Sequence, residues 1–246
     1  MKPSAVLLDS LTKTYRTGAT TVTALDEVSY DFPVGSFTAV MGPSGSGKST
    51  LLQCAAGLDR PDSGDVVIAG TALSALGETA LTRLRRAQIG FVFQSFNLLP
   101  SLTAAQNVEL PLRLAGRKPA PAATLAALTA VGLADRARHR PAELSGGQQQ
   151  RVAIARALVL APRVLFADEP TGALDTATSR DVLARLRRLA AENEQTIIMV
   201  THDPVAAGYA DQVVFLADGK IAGTLPRPTA ETAAARMTQL EVAKSC

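Results

Sequence analysis

The chain has 246 residues, of which 47% are hydrophobic and 19% are charged, a composition typical of globular proteins and not of disordered ones. Its 25 basic and 22 acidic residues leave a formal net charge of +3, a surplus too small to indicate a nucleic-acid-binding protein by itself. The two cysteines, Cys54 and Cys246, make neither a disulfide framework nor a zinc site.

The apolar segments of the chain are short. At the N-terminal end, Met1–Ser10 contains an apolar run of only Ala5–Leu8, which is too short for a signal peptide. The longest apolar-looking stretch, Ala120–Ala134, contains a proline and two threonines and falls short of a membrane-spanning length. We therefore expect a cytoplasmic chain with no transmembrane segment, whose membrane role, where it has one, comes through a partner.

A strand, a glycine-rich loop and a helix opening follow one another near the start of the chain. Phe37–Met41 is apolar and predicts a strand, and Thr50–Ala56 predicts a helix. The segment between them fits G-x-x-x-x-G-K-[ST], the phosphate-binding P-loop. Its residues are Gly42, Pro43, Ser44, Gly45, Ser46, Gly47, Lys48, Ser49 and Thr50.

The chemistry of a P-loop comes from its backbone. Glycines allow successive N–H groups to point inward and form an anion-binding nest at a helix N-terminus. In such a loop Lys48 reaches the β- and γ-phosphates and the Ser49 hydroxyl ligates Mg²⁺. An ordinary Gly/Ser turn before a helix is the alternative. The Lys-Ser pair at the correct offset after a strand favours binding of a nucleoside triphosphate.

Short strands alternate with helices through most of the chain, a pattern that predicts a sheet with crossover helices. The clearest helix is Thr178–Glu192, which has apolar residues on one face, and Asp218-Gly219 predicts a hairpin turn. Further strands are predicted at Val66–Ile68, Ile89–Phe93, Val164–Ala167, Thr196–Val200 and Gln212–Leu216.

Between Ser95 and Leu160 the strand pattern disappears, and leucine- and alanine-rich helical segments punctuated by prolines take its place. We predict a helical subdomain at 95–160, inserted into an α/β core made of 1–94 and 161–225. The tail, 226–246, is rich in alanine and threonine. It either adds a helix or frays.

Two carboxylates follow the apolar strand Val164–Ala167. Ligands of open α/β sheets bind at the carboxyl ends of the strands. Asp168 is therefore placed to hold Mg²⁺, directly or through water, and Glu169 is placed to polarise an attacking water. A strand ending in Asp-Glu is usually a structural cap, and the P-loop is what favours the catalytic interpretation here.

A second anion site is predicted at Leu144-Ser145-Gly146-Gly147-Gln148. The apolar residues that follow mark a helix, so Ser145 and the glycines lie at its positive N-terminus. The alternative is an ordinary Ser-Gly helix cap. The apolar positions of that helix are Val152, Ile154, Ala155 and Leu158.

From about Val6 to Thr224, this set of motifs resembles the ATP-binding subunits of ABC transporters. Leu144–Gln148 matches the ABC signature, which separates the family from other P-loop NTPases. The resemblance implies an α/β fold with a RecA-like P-loop NTPase core sheet, an N-terminal antiparallel β subdomain and an inserted α-helical subdomain. ATP and Mg²⁺ are the implied cofactors.

The resemblance also implies roles for individual residues. Tyr15 is similar to the aromatic residue that stacks on adenine, Gln94 to the Q-loop glutamine and His202 to the switch histidine. Each also has a plainer interpretation, as a strand aromatic, a strand cap or a local hydrogen-bond partner. The D-loop, Gly172–Asp175, begins with glycine where many relatives have serine. The implied catalytic residues are Glu169, His202 and Gln94. The implied metal ligands are Ser49, Gln94 and Asp168. The implied nucleotide ligands are the P-loop residues together with Ser145, Gly146, Gly147 and Gln148.

The family pattern implies partners as well. Two copies pair head to tail, and each ATP lies between the P-loop of one copy and the signature of the other. Ile89–Pro100 and the segment after it are similar to the macrolide-export and lipoprotein-release (MacB/LolD-like) branch. That branch implies export through a separate integral-membrane permease, with the ATPase peripheral on the inner face of the membrane.

Two alternatives to transport stay open from the sequence. ATPases of the same branch act in cell division, where the membrane partner signals to wall hydrolases and moves no cargo. A DNA or ribosome ATPase is less well supported, because the chain has no basic stripe with interleaved aromatics. The apolar residues Phe96, Leu98, Leu99 and Leu102 form either a groove for a permease helix or interior packing.

Overall fold

A computed structural model describes residues 3–18 and 20–244; Cys246 lies outside the described residues. The first of its two sheets is antiparallel. It contains β1 (Ser4–Thr17), β2 (Thr20–Pro33), β4 (Ser63–Ile68) and the short β5 (Thr71–Ala72), in the order β2-β1-β4-β5. This is the N-terminal antiparallel β subdomain that the family resemblance implied.

The second sheet has six strands in the order β10-β9-β3-β8-β7-β6. All neighbours are parallel except the edge strand β10, which pairs antiparallel with β9. The predicted strands and the predicted hairpin are present, with ends that differ by a few residues. The strands are β3 (Phe37–Met41), β6 (Ile89–Val92), β7 (Val164–Asp168), β8 (Thr196–Val200), β9 (Gln212–Ala217) and β10 (Lys220–Pro226).

Helices connect these strands and also fill the segment between β6 and β7, where the described residues contain no strand. The helix predicted at Thr178–Glu192 is present and begins earlier, because Asp175 caps it with a hydrogen bond from Thr178 N–H. The helices are α1 (Lys48–Ala55), α2 (Glu78–Gln88), α3 (Ala104–Leu114), α4 (Pro121–Ala130), α5 (Gly146–Leu158), α6 (Thr176–Asn193), α7 (Pro204–Ala207) and α8 (Ala230–Lys244).

The parallel sheet is buried on both faces, as its strand sequences require. Along β8, Ile197 and Met199 face one hydrophobic cluster, and Ile198 and Val200 face the other. The first cluster contains residues of α3, α5, α6 and α8. The second cluster joins the sheet to α1 and to the antiparallel sheet. Residues of the helical segment and of the sheet therefore lie in one buried cluster.

The C-terminal tail forms a helix. Ala233 of α8 is fully buried, and Met237 is nearly so, in the first cluster. Arg236 Nη2 donates a hydrogen bond to the carbonyl oxygen of Ala222 in β10, at 3.0 Å. In the part of the chain that the structure describes, no helix is long and apolar enough to cross a membrane.

Pairing of β1 with β4 depends on a close backbone approach at Gly64. The register between the two strands shifts between Asp9 and Thr12. Gly64 lies there with φ +83°, and a Cβ on it would overlap the carbonyl oxygens of Asp9 and Ser10. Only glycine combines this φ with this proximity at low energy.

We expect Gly64→Ala to destabilise the protein more than Gly70→Ala. Gly70 has nearly the same φ, +82°, but a Cβ on it would meet nothing beyond its chain neighbours within 4 Å. Gly70→Ala should therefore lower the free energy of unfolding only by the cost of the left-handed conformation, about 1 kcal/mol. Gly64→Ala adds the steric overlap, for a total of about 3 kcal/mol. Urea unfolding of both variants measures the difference, and equal losses would contradict the role of the close approach.

Candidate functional site

The P-loop lies between β3 and α1, which confirms the predicted strand–loop–helix order. Gly47 precedes the first residue of the helix and has φ +101°. A Cβ at this position would overlap the carbonyl oxygen of Ala24 in β2. The antiparallel sheet thus packs directly against the P-loop backbone, and glycine is required at the contact.

Two donors of the P-loop face inward. Lys48 Nζ donates to the carbonyl oxygens of Gly42 and Pro43, at 2.8 Å each. The Ser46 hydroxyl is buried and has no hydrogen-bond partner within the described residues. A buried polar atom without a partner costs stability. An ammonium and an unsatisfied hydroxyl beside a helix N-terminus fit a loop built to receive a phosphate.

A carboxylate and an imidazole meet where β7 and β8 end. Glu169 Oε1 and His202 Nδ1 are 2.7 Å apart, and the Glu169 side chain is the more buried of the two. Glu169 has φ +44°, which is unusual for a non-glycine residue. Its N–H donates to Val200 O and its carbonyl accepts from Gly172 N–H, both at 3.0 Å. These bonds hold the strained residue and aim its side chain at His202.

Asp168 lies just before Glu169 and is half-buried. Burial is the main cause that raises its pKa; the charge of Glu169 adds to the effect, and Lys48 opposes it. The three charged groups therefore interact electrostatically, which links the end of β7 to the P-loop. In the structure's described part, no cluster of three or more His, Cys, Asp or Glu side chains could hold a metal ion.

The candidate metal ligands fit Mg²⁺ by their chemistry. A serine hydroxyl (Ser49), an amide oxygen (Gln94) and a carboxylate (Asp168) are hard oxygen donors. Mg²⁺ is commonly held by one or two protein groups together with substrate phosphates rather than by a cage of side chains. The small number of acidic groups at the site agrees with that mode of binding.

The Gln94 amide lies near the Glu169 side chain, above Gly172. A Cβ on Gly172 would lie 2.6 Å from Gln94 Nε2 and 3.2 Å from Glu169 Oε2. Both side chains therefore lie over the α-carbon of Gly172. Gly172, at the start of the predicted D-loop, leaves this space to Gln94. Glu169, Gly172 and His202 also line one cleft of about 350 Å³.

Tyr15 is attached to the P-loop helix and to the segment after it. Its hydroxyl donates to Asp59 Oδ2 at 2.8 Å and also interacts with the side chain of Thr50. Lys13 Nζ pairs with Asp59 Oδ1 at 2.9 Å and lies 5.4 Å from the centre of the Tyr15 ring. Tyr15 keeps 37% of its surface exposed. The sequence did not indicate Lys13 or Asp59, because their positions are 46 residues apart.

The signature residues cap α5. Ser145 Oγ accepts a hydrogen bond from Gln148 N–H, and Gln148 Oε1 accepts one from Ser145 N–H, a reciprocal capping box. Ser145 is exposed, whereas Leu144 is buried. The nearest neighbours of Gly146 and Gly147 are Leu174, Phe96 and Thr178. The signature thus lies beside the start of α6, with its N-terminus open to solvent.

Comparisons with known proteins agree with this geometry. A family model described as ABC transporter matches residues 25–172. The macrolide export ATP-binding/permease protein MacB of Burkholderia pseudomallei is 46% identical over 228 residues, which are 92% of this chain but 35% of MacB. The uncharacterized ABC transporter ATP-binding protein YvrO of Bacillus subtilis is 48% identical over 216 residues, 87% of this chain and 94% of YvrO.

Solved structures give the same result. The dimeric ATP-binding cassette MJ0796, in a post-hydrolysis state bound to ADP and Pi, superposes with a TM-score of 0.82 at 42% identity. The superposition covers 90% of this chain and 98% of the MJ0796 chain. The structure of cbiO1 from Clostridium perfringens, part of the ABC transporter complex cbiONQ, has a TM-score of 0.83 at 28% identity and covers 98% of this chain and 95% of its own.

We expect the Asp59 carboxylate to stabilise the fold in a pH-dependent way. Burial alone would raise its pKa, but the hydrogen bonds from Lys13 and Tyr15 outweigh burial and lower the pKa below the ordinary 3.8. A lowered carboxyl pKa contributes stability that is present above the ordinary value and is lost as the pH falls through the folded value.

Asp59→Asn should therefore cost about 1 kcal/mol at neutral pH. The difference from wild type should shrink once the pH falls below 3.8. Urea unfolding at several pH values measures it, and Tyr15→Phe, which removes one of the donors, should have a smaller effect of the same kind. A cost that does not change with pH would show that the charge of Asp59 is unimportant.

Proposed function

Because the chain belongs to the ABC transporter family of ATP-binding proteins, we propose that two copies of it close on two shared ATP sites and drive a separate integral-membrane permease. The chain is an ATPase. The observation that carries the shared site is the presence of two open, anion-binding helix N-termini, the P-loop at α1 and the signature at α5, in one chain. Each offers N–H groups and a positive helix end to phosphate.

Within one copy, the roles follow from the groups at the carboxyl edge of the sheet. The P-loop N–H groups and Lys48 bind the phosphates, and Ser49, Asp168 and Gln94 hold Mg²⁺, which supplies charge neutralisation at the phosphates when bound. Glu169 orients the attacking water and accepts its proton. His202 is held by Glu169 through Nδ1, which leaves the opposite edge of the ring, directed away from that carboxylate, for the proposed contact with the γ-phosphate.

Ring stacking holds the adenine. Tyr15 presents an exposed face, and its hydroxyl is fixed to Asp59. An aromatic ring with a fixed plane can bind a base by stacking, because every base has a π face. Because the Tyr15 hydroxyl is bonded to Asp59, which follows the phosphate-binding helix α1, the adenine platform is tied to the segment next to that helix.

The second copy supplies the signature. Ser145 and the backbone N–H groups at the start of α5 contact the γ-phosphate of the ATP bound to the partner's P-loop. The dimeric state of the MJ0796 cassette bound to ADP and Pi supports this arrangement. ATP bound between two copies favours the closed dimer, and hydrolysis removes that preference, so the nucleotide shifts a population between open and closed forms.

The permease is proposed to be a separate membrane protein. The chain spans about a third of the MacB relatives it matches. Support for a separate permease comes from cbiO1, which is described as part of the ABC transporter complex cbiONQ. Next to Gln94, Leu98 packs on the core while Leu99 is 44% exposed, which leaves an apolar contact for a permease helix. We place the chain in the cytoplasm, on the inner face of the membrane, as part of an exporter of the macrolide, lipoprotein or antimicrobial-peptide type.

Glu169→Gln tests the catalytic role. The variant keeps the shape of the side chain but cannot accept a proton, so turnover should fall about 100-fold or more while ATP still binds. ATP should then accumulate the closed dimer, which size-exclusion chromatography with light scattering detects. The exposed Glu192→Gln on α6 is the matched control and should keep turnover. A Glu169→Gln chain with wild-type turnover would remove Glu169 from the mechanism.

Mixing two inactive variants tests the shared site. In a heterodimer of Lys48→Ala and Ser145→Arg, one site receives both defects and the other receives an intact P-loop and an intact signature. An equimolar mixture should therefore recover up to about a quarter of wild-type turnover, because half of the dimers are mixed and each has one good site. A site completed within one chain would leave the mixture inactive.

The matched control mixes Lys48→Ala with Glu169→Gln. Lys48 and Glu169 serve the same ATP in the same copy, so each of the two sites in this heterodimer carries a defect. This mixture should stay inactive. Recovery in both mixtures would mean that the division of groups between the copies is wrong.

A further inference from the structure

Helix α5 holds a segment of backbone that comes just after Gln94. The Arg156 guanidinium donates from Nη2 to the carbonyl oxygen of Phe96 at 2.8 Å, and from Nη1 to that of Asn97. Phe96 and Asn97 both have positive φ, 56° and 50°. Two consecutive non-glycine residues in the left-handed region are unfavourable on their own, so this backbone conformation depends on bonds from elsewhere.

Burial of the Arg156 guanidinium is energetically unfavourable unless its hydrogen bonds to the two carbonyl oxygens offset the cost. Burial lowers its pKa, and within the described residues no carboxylate forms a salt bridge with it. A half-buried guanidinium without a counter-ion is costly. Its stabilising partners are the two carbonyl oxygens, whose dipoles point at the charge.

A second α5 side chain holds the backbone just before Gln94. Gln150 is fully buried, and its Nε2 donates to Pro170 O at 2.6 Å and, at a longer 3.4 Å, to Phe93 O. Pro170 directly follows Glu169. The side-chain oxygen of Gln150 has no hydrogen-bond partner in the described part of the chain, so its amide N–H groups carry the interaction.

The rest of the segment has its own anchor. Asn107 is buried, accepts a bond from Leu99 N–H at 2.8 Å, and donates to the carbonyl oxygens of Leu99, Leu102 and Thr103. The loop beyond Leu99 is therefore held without Arg156. What Arg156 adds is specific to Phe96 and Asn97, which lie between Gln94 and that anchored region.

We propose that Gln150 and Arg156 are positioning residues, which hold the backbone on both sides of Gln94 so that Gln94 and the helix capped by Ser145 move as one body. The bond from Gln150 to Pro170 ties this body to the residue after Glu169. Engagement of Gln94 at the nucleotide is thereby coupled to the orientation of the signature that serves the second copy. The inference rests on the role proposed above for Gln94.

A double-mutant cycle tests the coupling. Arg156→Met should lower kcat for ATP about 10-fold, with KM within about twofold of wild type, because it displaces a group that acts on bound substrate. Gln94→Ala should lower kcat by a similar factor. The double variant should be no slower than the slower single variant, since both changes remove the same function. Arg156→Lys, which keeps the charge and one donor group but not the two-pronged geometry of the guanidinium, should recover part of the loss.

Arg151→Met is the matched control. Arg151 lies on the same helix and pairs with Asp181 at 3.3 Å, away from Gln94. In the double variant, any fold-decrease in kcat that Arg151→Met causes should multiply with the fold-decrease caused by Gln94→Ala. If Arg156→Met fails to fold, Gln150→Leu replaces it in the cycle, with the same expectation of a non-additive effect.

The outcomes separate this inference from the function on which it rests. If Gln94→Ala turns over ATP like the wild type, the proposed role of Gln94 is wrong and the inference fails with it. If Gln94→Ala is slow but Arg156→Met contributes its full independent factor in the double variant, the positioning role is overturned while the shared ATP site stands. Failure of Arg156→Lys to recover any turnover counts equally against the two carbonyl contacts.

Discussion

The chemistry of this protein depends on the alignment of four neighbouring parallel strands, β3, β8, β7 and β6, whose carboxyl ends lie at one edge of the sheet. The P-loop, His202, the Asp168–Glu169 pair and Gln94 follow these strands in that spatial order. Hydrogen-bonded register places Asp168 opposite Val200 and Val92 opposite Ala167. Residues that are far apart in sequence thus meet within hydrogen-bond distance, which is the general reason why ligands bind at this edge of α/β sheets.

Much of this site could be predicted from the sequence because its signals are local. An apolar strand followed by Gly-rich or acidic residues marks both the P-loop and Glu169, and the turn at Asp218-Gly219 needs only its own residues. The contacts that position the site were not predictable. Arg156 bonds to carbonyl oxygens 59 and 60 positions away. Every residue has a backbone carbonyl, so the residue types do not indicate which carbonyl a side chain will contact.

The β1–β2 hairpin is a second example of what the residues alone did not locate. Its strands show register shifts at Leu8/Leu11, Leu11/Lys13 and Lys13/Thr14. Each shift moves side chains to the other face and breaks the period-two pattern on which strand prediction depends. Only the family resemblance implied an antiparallel sheet there. The tie between Tyr15 and Asp59 was missed for the same reason, since it crosses from this hairpin to the segment after α1.

Packing limits the kind of motion that could open and close the proposed ATP sites. Val152 and Ile154 of α5 lie in the same buried cluster as Leu165 and Ile197 of the sheet, so the signature helix is not tethered by a loose linker. Close-packed interiors do not deform continuously; they shift between discrete arrangements. A displacement of α5 must then carry with it the backbone beside Gln94, to which Gln150 and Arg156 are bonded. Under the proposed roles, Gln94 and the start of α5, which serves the second copy, then belong to one mechanical unit.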